Sequence, residues 1–444
     1  MSPVDGESDV AQTIEQPATA VSALPNRIIL MNQLHDVIII GAGPSGSIAA
    51  ANLVKRGYKP LILERALFPR FSIGESLLPH CMEFIEEAGL VEAVHAQADE
   101  KGFQFKNGAV FNYGEQHSTF DFTDKFSPGP GTTYQVRRAN FDKLLADEAE
   151  KAGVEIRYQQ EIVNADFAGA QPELTVREHA NGGEYTIRAR FVLDASGFGR
   201  VLPRLLDLEA PSNFPVRQAI FTHVEDRIRS EDFDRNKILV TVHPSNRSVW
   251  YWTIPFGDGR ASLGVVAEQA YFDTIPGSPE EKLRQIVGEA PSLARHLRDA
   301  VYDTPCQVIT GYSANVKSLI GPGYALLGNA GEFLDPVFSS GVTVAMKSAS
   351  LAAAVLDRQL RGETVDWEQE FCIPLKQGVS TFRTYVETWY DASFQDVIFH
   401  ENKTPEIKRM ISSILAGYAW DQNNPYVAHS RRRLEALVSV CRAA

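Results

Sequence analysis

The chain has 444 residues, enough for two or three domains or one large composite one, and its apolar (44%) and charged (22%) fractions are those of a soluble globular protein. No apolar run approaches the roughly 20 residues that span a bilayer, and a net charge of −13 disfavours nucleic acid as a partner. Cys81, Cys306, Cys372 and Cys441 are scattered with no Cys-x-x-Cys pair, which argues against a disulfide framework or a zinc site and fits a reducing cytoplasm.

Residues 1–34 read as a disordered tail. Its start is acidic (Asp5, Glu7, Asp9, Glu15), unlike the basic opening of a secretory signal. Val37 to Ile40 then suit a strand buried on both faces of a parallel sheet. Gly41, Gly43 and Gly46, with Ser45 between the last two, permit a tight turn, close approach to a pyrophosphate and close helix–strand packing. The helix that follows carries Ile48, Ala51 and Val54 on one face, stops near Gly57, and aims its free amides at the phosphates. A second strand, residues 60–63, ends at Glu64, placed to accept hydrogen bonds from a ribose. Gly-x-Gly-x-x-Gly alone is weak, but the strand, helix and acidic residue together predict an adenine dinucleotide site.

Residues 65–130 read as an insertion. It contains Gly74-Glu75-Ser76, a short helix, and a hairpin expected around Asn107-Gly108. A helix is predicted from Arg138, with Phe141, Leu144, Leu145 and Ala149 on one face, and a strand over Ile187 to Leu193 delivers Asp194-Ala195-Ser196-Gly197. Residues 213–312 alternate as strands. Tyr324 to Gly331 returns as a strand and glycine turn, and Asp335 to Gly341 leads into a helix of small residues. Beyond residue 360 the chain is helical and aromatic, with Phe371, Phe382, Tyr385, Trp389, Tyr390 and Phe394. The fold class expected is α/β. A discontinuous Rossmann-like nucleotide domain (35–212 and 313–360, with the insertion 65–130) joins a mixed-sheet substrate domain (213–312) and a C-terminal helical lid (361–444).

Taken together these stretches resemble the flavoprotein monooxygenase superfamily, whose FAD domain pairs the first glycine turn with later ones. Asp194-Ala195-Ser196-Gly197 is similar to the second motif, Gly328-Asn329-Ala330 to the third (usually Gly-Asp-Ala), and Arg138 to an arginine that faces FAD. An amide at 329 can still donate and accept there. The resemblance implies FAD contacts at Gly41, Gly43, Ser45, Gly46, Glu64, Arg65, Arg138, Asp194, Gly197, Asn329, Asp335, Gly341 and Val342. Trp250-Tyr251-Trp252-Thr253-Ile254-Pro255, Lys106, and the run Asp335 to Val342 further resemble flavin-dependent halogenases, closest to those acting on carrier-bound pyrroles and free phenols. On the residues alone, two tryptophans two apart on a strand are usually core, and a lysine beside Asn-Gly is usually solvated.

That resemblance implies a chemistry in which reduced FAD from a separate reductase, dioxygen and chloride or bromide yield hypohalous acid, the halide lying near Ser340 and Gly341. Trp250, Trp252, Ile254, Pro255 and Phe338 would wall the substrate from the flavin, and Lys106 would carry electrophilic halogen to an aromatic carbon. Phe338 stands where tryptophan halogenases carry a glutamate, which implies an electron-rich ring, a phenol or pyrrole, free or on a carrier protein. Arg431-Arg432-Arg433 and the stretch Lys403 to Arg409 are candidate docking patches for such a carrier. The alternatives are a related hydroxylase or geranylgeranyl-reductase-like oxidoreductase, and a non-catalytic flavin-binding redox sensor.

Overall fold

The computed structural model describes residues 34–401 and 403–443. The expected tail therefore lies outside the described residues, except Leu34, which already opens the first strand, Leu34–Ile40. That strand sits inside a parallel array. Its neighbours are Glu184–Asp194 and Leu61–Glu64, and the array continues to Tyr324–Leu326 on one side and Glu155–Tyr158 on the other. Val37, Ile38, Ile39, Leu61, Ile62, Val192 and Leu193 are fully buried, as two-sided covering by helices requires. The helices Pro44–Lys55 and Ser340–Leu360 pack together against this sheet, so the discontinuous nucleotide domain is one layered body.

A second, seven-stranded sheet runs in the order Gln307–Thr310, Arg217–Glu225, Arg260–Glu268, Asn246–Pro255, Lys237–His243, Gly108–Tyr113, Gln116–Asp121. Its last two strands come from the 65–130 insertion, so this sheet is not confined to 213–312. The hairpin expected at Asn107-Gly108 is absent for the same reason. Gln104–Lys106 pairs instead with Thr133–Gln135, Gly108–Tyr113 pairs in parallel with Lys237–His243, and the reversal comes at Gly114-Glu115. Asn107 breaks the two pairings apart: its amide bonds to the Asn236 carbonyl and its own carbonyl accepts from Phe122.

Alternation along Asn246–Pro255 sorts side chains to opposite faces. Trp250, Trp252 and Ile254 share a core with the C-terminal helices, whereas Tyr251 packs beneath the helices Pro279–Gly288 and Pro291–His296. Gly264 lies opposite Trp252 in the ladder, where any Cβ would overlap the indole. From the C-terminal segment, Tyr385, Trp389 and Phe394 close that same core against Phe111 and Phe338. At about 1.5–3 kcal/mol for each large side chain fully buried, this core welds the segment to the sheet rather than leaving it a loose flap.

Candidate active site

The first glycine turn opens onto a cleft of about 380 Å³ between the two sheets. Its walls include Gly41, Gly43, Ser45, Glu64, Arg65, Arg138, Gly197, Asn329, Gly341 and Val342, drawn from six separate stretches of chain. The Pro44–Lys55 helix has no side-chain cap at Gly43, leaving its first amides for a ligand. A Cβ at Gly43 would meet only Arg70 Nη2 at 3.5 Å, so the space above the turn belongs to the cleft. A Cβ at Gly46 would overlap the Gly41 carbonyl oxygen instead: that glycine serves packing.

Glu64 is buried, and its two oxygens accept from the Ala42 and Ala66 amides at 2.9 and 2.8 Å, which ties the turn to the strand end while spare lone pairs remain for a ribose. The Arg138 guanidinium is held by Asp142 (2.7 and 2.9 Å) and donates to the Ile73 carbonyl at 2.6 Å. Asn329 Oδ1 is buried with no hydrogen-bond partner among the described residues. An orphaned acceptor in a cleft, an uncapped helix and an open glycine are what a polyhydroxylated dinucleotide would satisfy, so the residues fit FAD.

A second cavity, of about 20 Å³, is lined by Lys106, Phe338, Phe111, Phe122, Leu78 and Leu415 among others. Ile238 and Ser339 border both cavities. Lys106 is 0% exposed, against the solvated lysine its neighbouring Asn-Gly would suggest. Its Nζ donates to Ser76 Oγ at 2.8 Å and to the Leu77 carbonyl at 2.7 Å, and sits 5.5 Å from the Phe122 ring centre. Burial without a carboxylate partner pulls its pKa down to about 7, the Cys81 thiol opposing weakly, so the amine is available in both protonation states near neutrality.

Similarity to known proteins follows the same outline. A model of the FAD binding domain matches residues 35–367, three quarters of the chain. The crystal structure of a flavoprotein/dehydrogenase from Cytophaga hutchinsonii is 44% identical, superposes with a TM-score of 0.89, and covers 93% of this chain and 99% of its own. The 1H-pyrrole-2-carbonyl-[peptidyl-carrier protein] brominase of Pseudoalteromonas luteoviolacea is 30% identical over 76% of this chain and 80% of its own. The chain belongs to the flavin-dependent halogenase family. A family member of another printed specificity, the tryptophan 2-halogenase of Chondromyces crocatus, is 31% identical over 74% of this chain, which spans only 62% of that protein.

Within this halogenase-family frame, several expected residues fall outside the cleft wall. Asp194 is fully buried and spends its carboxylate on the Ser196 and Leu202 amides (2.9 and 2.7 Å), shaping the turn that brings Ser196 and Gly197 to the cleft. Burial raises its pKa, those hydrogen bonds opposing. Asp335 is likewise withdrawn: its oxygens accept from the Val337 amide and the Tyr312 and Tyr390 hydroxyls, and burial pushes its pKa up to about 6 against those bonds. Ser340 is buried, whereas Ser339, at φ +55°, and Gly341 reach the cleft. Pro255 ends the strand without lining either cavity.

The basic docking candidates are partly spent: Arg409 pairs with Asp124 at 2.9 Å, Arg431 pairs with Glu387, and Lys403 donates to the Ile398 carbonyl at 2.8 Å. In the sequence Gly74-Glu75-Ser76 carries no functional expectation of its own. In the fold Ser76 is the partner of Lys106, and Glu75 bonds His223 at 2.7 Å while lining the cleft. The extended backbone there, bridged to Gln135, is the signal that could have placed neighbouring side chains on opposite sides. Among the described residues no helix is long and apolar enough to cross a membrane.

Proposed function

We propose that the protein is an FAD-dependent halogenase that places electrophilic halogen on an electron-rich aromatic ring through Lys106. The observation that carries this reading is the pair of cavities: a cleft of about 380 Å³ whose walls include Trp250, Trp252 and Ile254, and next to it, sharing Ile238 and Ser339, a small cavity holding a lysine whose pKa burial lowers to about 7. Bound reduced FAD, supplied by a separate reductase, would provide with dioxygen the oxidising equivalents that convert chloride or bromide to hypohalous acid. The amides at Ser339–Gly341 would hold the halide, since the Ser340–Leu360 helix begins there with no side-chain cap. The indoles and Ile254 exclude the organic substrate from the flavin side.

Lys106 then acts from the far side. Charged, its ammonium donates a hydrogen bond to the oxygen of the oxidant and sharpens the halogen. Neutral, its lone pair takes the halogen and releases water or hydroxide. Phe338 presents a ring edge-on to Trp389 and Phe394 in the wall of the lysine cavity and offers no carboxylate to remove the ring proton. The substrate must supply that reactivity, which favours a phenol or a pyrrole, free or as a carrier thioester, over tryptophan. A cytoplasmic location accompanies this reading.

A second reading has a specific observation behind it. The cavity at Lys106, about 20 Å³, is too small for an aromatic ring as it stands, and the Cytophaga hutchinsonii relative is described as a flavoprotein/dehydrogenase. A non-halogenating FAD oxidoreductase is therefore the alternative. Mass spectrometry of products from tryptophan, phenolic and pyrrolic acids and their carrier thioesters, with reduced FAD and either halide, separates them. Halide-dependent mass shifts on the phenols or pyrroles support the proposal. Turnover without any halide incorporation, or halogenation of tryptophan alone, overturns it.

A further inference from the structure

Tyr390, the last residue of the helix Ile373–Tyr390, reaches from the C-terminal segment to Trp250, a residue of the cleft wall. Its hydroxyl lies 3.0 Å from Trp250 Nε1 and 2.9 Å from Asp335 Oδ2. An indole N–H can only donate, so the phenol oxygen accepts from Trp250 and gives its own proton to Asp335. Tyr312 adds a second hydroxyl to the same carboxylate oxygen at 3.3 Å, and Asp335 Oδ1 accepts from the Val337 amide at 3.0 Å. The Arg217 guanidinium is 3.3 Å from the centre of the Tyr390 ring, which fixes the plane of that ring. Trp250, Asp335 and Arg217 are each at most 4% exposed.

The turn headed by Asp335 needs such fixing. Pro336–Phe338 is a single short turn, and Ser339 after it takes φ +55°, a left-handed conformation that costs a β-carbon-bearing residue on the order of 1 kcal/mol and persists only where the surroundings over-determine it. Gly341 follows at the cleft wall.

We propose that Tyr390 is a positioning residue contributed by the C-terminal segment, locking the Trp250 indole and the Asp335–Ser339 turn in one relation and so holding the amides that follow that turn, at Ser339–Gly341, in halide-binding geometry. This deepens the halogenase reading and rests on it. Tyr390→Phe removes the one hydroxyl while keeping the ring beneath Arg217, and Asp335→Asn perturbs the other end.

The experiment titrates chloride and bromide into FAD-loaded protein and follows the flavin absorbance, which reads binding without turnover. Tyr390→Phe is expected to weaken halide binding about tenfold, with FAD affinity within about twofold of wild type and with an altered near-ultraviolet tryptophan dichroism in the FAD-free protein. The double variant is expected to be no weaker than the worse single one, because both act through one contact. Wild-type halide affinity in Tyr390→Phe overturns the inference, as do fully additive losses in the double variant. A wild-type protein whose flavin spectrum ignores halide sinks the halogenase reading and this inference together, an outcome distinct from either of those.

Discussion

Lys106 Nζ donates to Ser76 Oγ at 2.8 Å, and that same Ser76 forms part of the wall of the flavin cleft. One hydroxyl thus stands between the lysine of the small cavity and the large cavity. The remaining contact of Nζ, the Leu77 carbonyl, is the next residue of the same segment. Burial lowers the pKa of this amine to about 7 despite the two acceptors.

Lys106→Met is expected to lower halogenated product by at least ~100-fold, the scale of a lost general acid or nucleophile, while FAD affinity and consumption of reduced flavin stay near wild type. Product mass spectrometry beside flavin absorbance checks both halves. Halogenation at close to the wild-type rate would remove the lysine from the mechanism.

The same variant should report on pH. A lysine whose folded-state pKa is about 7, against 10.5 when solvated, holds fewer protons folded than unfolded between those values. Its burial penalty is full below about pH 7 and fades as pH rises towards 10.5, so this group makes the wild type gain stability over that window. The difference in urea unfolding free energy, Lys106→Met minus wild type, is expected to fall by up to a few kcal/mol from pH 6 to pH 9.5. A flat difference would mean the amine is not desolvated.

Two glycines three residues apart should fail differently. Gly43→Val is expected to abolish FAD binding with a melting temperature of the FAD-free protein close to wild type, because a Cβ there meets only the tip of Arg70. Gly46→Ala is expected to destabilise the protein itself, since its Cβ collides with the Gly41 carbonyl. Calorimetry of the FAD-free proteins and FAD titration distinguish the two. Full flavin occupancy in Gly43→Val would overturn the assignment of the cleft.

Asn329→Ala should weaken FAD binding by roughly threefold to tenfold, the worth of one hydrogen bond, without destabilising the FAD-free fold, where Oδ1 has no partner to lose. Flavin fluorescence titration measures the first and thermal melting the second. Unchanged FAD affinity would show that this acceptor faces something other than the cofactor.

The nucleotide half was legible in the sequence because its signals are local. A buried β-branched strand, glycines spaced for a turn and an amphipathic helix each act through backbone geometry within about 25 residues, and residues 35–64 folded accordingly. Alternation likewise put Trp250 and Trp252 on one face before any partner was known. What the sequence could not settle is how strands distant along the chain pair. The Asn107-Gly108 step looks like a hairpin turn locally, but Gly108–Tyr113 pairs with Lys237–His243 and Gln104–Lys106 with Thr133–Gln135, so Asn107 becomes a break between two sheets and its neighbour Lys106 is drawn inside. The same holds for Asp194 and Asp335, whose motifs predict cofactor contact but whose buried carboxylates accept from turn amides and, for Asp335, from the tyrosines at 312 and 390, and do not line the cleft. Only the tertiary structure decides which polar groups a buried acid will meet, because the cost of leaving one unpaired is paid by whatever donor the packing brings near, at any distance along the chain.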